Sequence, residues 1–90
     1  MTIQEIKSIA KETFGGRKQS LIDCGEFRIS IVGGPGLYGD FETSFEIAFI
    51  RKADGEFITR DLVETANDDV IGWLDVQEVE EFVNKFLFAN

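Results

Sequence analysis

Residues 26–62 read EFRISIVGGPGLYGDFETSFEIAFIRKADGEFITRDL, and this stretch decides the fold. From Glu26 to Val32, Phe27, Ile29 and Ile31 fall on one side, and Glu26, Arg28 and Ser30 on the other. Side chains of an extended chain point to opposite faces in turn, so the alternation predicts a strand with one wet face. Phe41 to Arg51 repeats it, with Phe41, Thr43, Phe45, Ile47 and Phe49 opposed to Glu42, Ser44, Glu46 and Ala48. Between them, Gly33 to Asp40 holds four of the nine glycines and the only proline, which predicts a loop. Asp54-Gly55 predicts a hairpin turn. Glu56 to Leu62 then predicts a returning strand, with Phe57 and Thr59 opposed to Ile58 and Arg60.

Helices flank this block. Thr2 and Glu5 have capping-box spacing, and Ile3, Ile6, Ile9, Ala10 and Phe14 follow at helical spacing. The reading is an N-terminal helix that Gly15-Gly16 ends. Ser20 to Asp23 is either a short strand or connection, and Cys24-Gly25 is a turn. Val70 to Leu74 is either a minor strand or a packed connector. Asp75 and Glu78 form a second cap-like pair, ahead of a stripe of Val76, Val79, Phe82, Val83, Phe86 and Leu87. The expected architecture is therefore α+β, a single domain over residues 1–90. It has an N-terminal helix, a three- to four-stranded antiparallel meander and a C-terminal helix, with both helices on one face of the sheet. The other face would carry Glu26, Arg28, Glu42, Glu46 and Arg60.

The composition narrows the function classes. A 90-residue chain builds one core but not a deep, walled active site besides. There is no histidine, the commonest general base near neutral pH, and Cys24 is the only cysteine. Cys24 reads as a small buried hydrophobe, and Trp73 as a core residue. The glycine loop lacks the Lys-Ser/Thr of a phosphate cradle and precedes a strand rather than a helix. Residues 61–69 supply oxygen ligands without calcium-loop spacing. No catalytic residue, cofactor or metal site is expected. A lone thiol, with no leader-like or bilayer-spanning apolar run, predicts a cytoplasmic protein.

The charge is uneven. The net charge is −8, yet residues 1–35 hold four acids against five bases. From Asp61 to Glu81 there are eight acids and no base. Such a chain is a poor direct ligand for nucleic acid or anionic membrane. The acids are either a solvated surface or a footprint for a basic partner. Under the second reading, Asp40, Glu42, Glu46, Glu64, Asp68, Asp69, Glu78 and Glu81 would face basic groups of a host protein that itself binds nucleic acid. Leu37 and Tyr38 on the glycine loop are either a partner anchor or a cap on the sheet's end.

Phe45-Glu46-Ile47-Ala48-Phe49, followed by Asp69-Val70-Ile71-Gly72-Trp73 and an acidic C-terminal helix, resembles small bacteriophage-encoded proteins. The resemblance spans roughly residues 38–88. Size, acidity and element order are similar to phage anti-defence proteins, including anti-CRISPR proteins. The resemblance implies an inhibitor that acts by binding. With the acidic charge, the leading expectation is an inhibitor that occupies a basic, nucleic-acid-binding surface of a host enzyme or defence complex, nucleic-acid mimicry being one form of it. The alternative is an immunity-type or regulatory subunit that uses an apolar or tyrosine anchor, or a sheet edge. Oligomeric state stays open between monomer and homodimer.

Overall fold

Thr2 caps the first helix as its spacing predicts: its hydroxyl accepts the Glu5 N–H, and the Glu5 carboxylate accepts the Thr2 N–H. The computed structural model describes residues 1–87; the last three residues of the expected 1–90 domain lie outside the described residues. The elements run α1 (Ile3–Ser8), β1 (Lys11–Thr13), a 3-10 turn (Phe14–Gly16), β2 (Arg17–Asp23), β3 (Phe27–Gly33), β4 (Phe45–Arg51), α2 (Thr59–Leu62), β5 (Ile71–Leu74) and α3 (Val76–Leu87). The five strands form one sheet in the order β1-β2-β3-β4-β5, every pair antiparallel. The class is α+β with a helix at each end. The sheet has one more strand than the upper expectation.

The register explains the core. Ile22 pairs with Ile29, Ile29 with Phe49, and Ile31 with Ile47. These side chains share one face and are buried. The rings of Phe86 and Phe49 meet edge-on with centroids 4.7 Å apart, and Phe86 also meets Phe27 at 6.1 Å. Val79 and Val83 of α3 are fully buried, each contributing about 1.5–3 kcal/mol. The Ser20 hydroxyl donates to the Ile6 carbonyl at 2.6 Å, joining β2 to α1. Ile3 N–H donates to the Glu80 carboxylate at 2.7 Å, and the N-terminal amine meets the Asn84 side chain, joining α1 to α3. Cys24 is buried, and burial pushes its thiol pKa up.

Four expectations are corrected and one pair of open readings, the second below, is resolved. First, the N-terminal helix stops at Ser8 rather than Gly15. Lys11–Thr13 instead pairs with Arg17–Gln19 as a hairpin, and Glu12 faces Lys18 across it. Gly15 and Gly16 both have φ near +80°, a conformation glycine adopts without steric cost. Phe14 at the tip is therefore 93% exposed, not on a helix face. Second, β2 begins at Arg17, so Ser20 to Asp23 is strand. Val70 to Leu74 likewise resolves into β5 from Ile71 onward.

Third, Phe41 to Ser44 is a turn rather than the start of β4. The Asp40 carboxylate accepts the N–H groups of Glu42, Thr43 and Ser44, which fixes that turn. Phe41 takes φ +64° but stays buried against Phe45. Fourth, the strand after Asp54-Gly55 shrinks to a single bridge, Ile50 to Phe57. The Thr59 hydroxyl accepts the Phe49 N–H at 3.0 Å and donates to the Asp69 carbonyl at 2.6 Å. A side chain thus takes the place of the next ladder bond, and the chain turns into α2. Consequently Glu42 and Arg60 lie in a turn and a helix, not on a sheet face. Fifth, Trp73 is not core: it is 68% exposed.

Candidate functional site

The exposure of Trp73 has a backbone cause. Phe45 pairs with Leu74 and Ile47 with Ile71, so Gly72 and Trp73 together oppose Glu46 alone. This bulge leaves Leu74 in the core, while Trp73 takes φ +58°. The Trp73 N–H donates to the Tyr38 carbonyl at 2.8 Å. Tyr38 N–H donates to the Glu46 carboxylate at 3.2 Å. The Tyr38 side chain lies directly over Gly72, where a Cβ would overlap it. The two rings stand 6.2 Å apart at 44°, with Tyr38 54% exposed. A loop, a bulge and a strand carboxylate thus hold two solvent-facing aromatics side by side.

Behind them lies the second face of the sheet. Ser30, Val32, Glu46, Ala48 and Ile50 alternate with the core residues of β3 and β4, and so point the other way. A groove of about 330 Å³ runs over this face. Val32, Leu37, Ala48, Ile50, Phe57 and Val70 supply its apolar lining, and Arg17, Gln19 and Glu46 its polar groups. Gln19 donates to the Ser30 hydroxyl at 2.9 Å. Leu21 and Phe57 are about half exposed. Arg17 donates to the Pro35 carbonyl at 2.8 Å, fastening the glycine loop to the β1–β2 hairpin.

The acids expected to form a footprint lie in several places, and much of their hydrogen bonding is local. Three backbone N–H groups hold the Asp40 carboxyl far below the usual carboxylate range, that of Glu42 first. Glu46 is only 8% exposed and serves Tyr38. The exposed Glu42 sits in the turn, where its carbonyl accepts Lys7 Nζ at 3.1 Å. Asp68 accepts the Asp69 N–H, and Asp69 faces Arg60 at 3.4 Å. Glu78 forms a capping box with Asp75, and Glu81 accepts from Gln77. Tyr38 and Glu46 are brought into one site; Glu64, Asp68 and Asp69 share a loop; Glu78 and Glu81 share one flank of α3.

Trp73, Val32, Ile50 and Phe57 did not stand out as site residues in the sequence. The signal was present: Val32, Ala48 and Ile50 interrupt the polar side of both alternations. Among the described residues no three His, Cys, Asp or Glu are grouped to hold a metal ion, and no helix is long and apolar enough to cross a membrane. Comparison with protein-family models, curated proteins and solved structures finds no match to this chain.

Proposed function

We propose that the protein is a binding subunit, immunity-type or regulatory, that docks a protein partner on the sheet face bordered by Tyr38 and Trp73. In this reading both helices cover the core face, which leaves the opposite face for the partner, where Leu21, Val32, Ile50 and Phe57 are at least part-exposed and Ala48 is buried beneath them. The observation that carries it is the exposed Tyr38–Trp73 pair, fixed by main-chain bonds before any partner arrives. Tyrosine and tryptophan dominate binding hot spots, and a pre-fixed contact loses less entropy on docking.

The size of the face sets a limit. Four strand spacings by six residue rises give about 20 by 20 Å, or roughly 400 Å². A standard partner contributes about 800 Å². The glycine loop and edge aromatics must therefore join the contact, which agrees with Leu37 and Tyr38 as anchors. The partner would offer apolar side chains to the groove.

A second reading, inhibition by nucleic-acid mimicry on a basic host surface, is favoured by the acidic run from Asp61 to Glu81. In that version the carboxylates of Glu64, Asp68, Asp69, Glu78 and Glu81 carry the affinity. Salt separates the two, because exposed charges are screened within about 8–10 Å at 0.10–0.15 M. The experiment is affinity capture from a bacterial lysate with wild type and Trp73→Ala, at low and high salt. Capture that survives high salt and disappears with Trp73→Ala supports the anchored subunit. Capture lost in salt and indifferent to Trp73→Ala sinks it and leaves the mimic.

A further inference from the structure

We propose that the protein self-associates by seating Phe14 of one copy in the groove beside Phe82 of the next. Phe14 stands at the tip of the β1–β2 hairpin, 93% exposed, so its own chain does not cover it. The hairpin is tied down by three cross-strand pairs and the Arg17 bond to Pro35, so the ring is presented on a fixed support. Its exposed bases are Lys11 and Lys18, with Glu12 as the one acid of β1.

The receiving surface lies on α3 and the segment after α2. A groove of about 200 Å³ is lined by Glu78, Glu81, Phe82 and Lys85. A neighbouring hollow of about 390 Å³ shares Phe82 and Lys85 and adds Leu62, Val63 and Glu64. The smaller groove is open to solvent with Phe82 as its apolar surface, so the Phe14 ring would stack on Phe82 rather than enter an enclosed cavity. Its rim carries Glu78 and Glu81 against one base, Lys85, and Glu64 lines the neighbouring hollow. An apolar knob beside two lysines thus meets the Phe82 ring flanked by carboxylates, and this complementarity selects a second copy as the occupant.

Knob and groove are different patches of one chain, so the contact is either made twice across a two-fold axis in a dimer or repeated head-to-tail. The net charge of −8 opposes association at long range. Salt near 0.15 M confines that repulsion to about 8 Å, leaving the short-range contact to decide. The proposal is independent of the partner reading, which uses the sheet face.

The test is sedimentation equilibrium at about 0.15 M salt over a concentration series reaching about 1 mM, the range of a weak specific contact. Wild type is expected to rise above its 10.1 kDa monomer mass. Phe14→Ser should weaken association tenfold or more, the loss of a hot-spot side chain, without changing thermal unfolding. Glu81→Lys should weaken it, and Lys18→Glu combined with Glu81→Lys should restore it. Trp73→Ala should leave it unchanged. A wild type that stays monomeric throughout, or association indifferent to Phe14→Ser or abolished by Trp73→Ala, overturns the proposal.

Discussion

The main-chain N–H of Trp73 reaches the carbonyl of Tyr38 at 2.8 Å, so each aromatic is placed by the other's backbone rather than by ring packing alone. Removing either ring therefore takes away contact area while leaving that bond. Trp73→Ala and Tyr38→Ala should each weaken partner binding by about 2 kcal/mol or more, the size of a hot-spot loss. Calorimetric titration against the captured partner, beside thermal unfolding, separates this from a folding defect.

Backbone strain at position 73 makes a sharper prediction. A residue with a Cβ at φ +58° is disfavoured by about 1–2 kcal/mol relative to its usual conformations, and glycine is not. Trp73→Gly should therefore be about 1 kcal/mol more stable than Trp73→Ala, while both lose the partner equally. Chemical denaturation of the two variants measures the difference. Equal stabilities would mean that the bulge relaxes once the ring is gone.

Gly72 tests the packing beneath the pair. A Cβ there would overlap that of Tyr38, and both belong to segments fixed by main-chain bonds. Gly72→Ala should cost about 1–3 kcal/mol, the usual penalty for overpacking. It should also alter Trp73 fluorescence, because the Tyr38 ring must move away. An unchanged emission spectrum would count against the geometry.

Thr59 is fully buried, and its hydroxyl serves the Phe49 N–H and the Asp69 carbonyl together. Valine preserves the shape but leaves both groups without this partner. Thr59→Val should destabilise by about 1–3 kcal/mol for each group left unsatisfied. It should also raise amide exchange at Phe49 ahead of the other β4 amides. Equal exchange along β4 would speak against a local role.

Acid should loosen the Phe41–Ser44 turn. The Asp40 carboxyl lies far below its usual range because it accepts three backbone N–H groups, so its contribution is complete above about pH 4. That contribution falls as pH drops below this value toward the folded-state pKa. Asp23, lowered chiefly by Lys52, and Asp54, lowered chiefly by Arg51, act in the same direction. The melting temperature should drop below about pH 4, and the gap between wild type and Asp40→Ala should narrow there. A gap that stays constant with pH would show that the turn does not depend on the ionised carboxylate.

The legible parts of the fold were those where one period ran undisturbed. Ile29, Ile31, Ile47 and Phe49 were readable as one buried face because each pairs with another apolar residue in register, while Phe27 pairs with Arg51 and joins that face through its ring contact with Phe49. The two capping boxes were readable because their hydrogen bonds are local. Local pattern misled where side chains took over backbone roles. Asp40 and Thr59 each replaced strand with turn, and neither effect follows from hydrophobic period. Trp73 was misplaced because a bulge shifts the inward and outward positions by one residue, and only pairing with β4 reveals it. Tyr38 was recognisable as a loop residue on turn chemistry, with anchor and cap both open, and its neighbour comes from a strand 35 residues further on.

The same bulge has a consequence for behaviour at high concentration. An outermost strand is a template for foreign strands, through the row of main-chain groups it leaves open. At β5 the Trp73 N–H is already bonded to Tyr38, and the left-handed kink breaks the straight run a foreign strand would need. At the far side β1 is three residues long and exposes Lys11 and Glu12. Both margins therefore resist strand-by-strand growth, so a sheet this rich in phenylalanine should stay out of fibrils while leaving its aromatics uncovered.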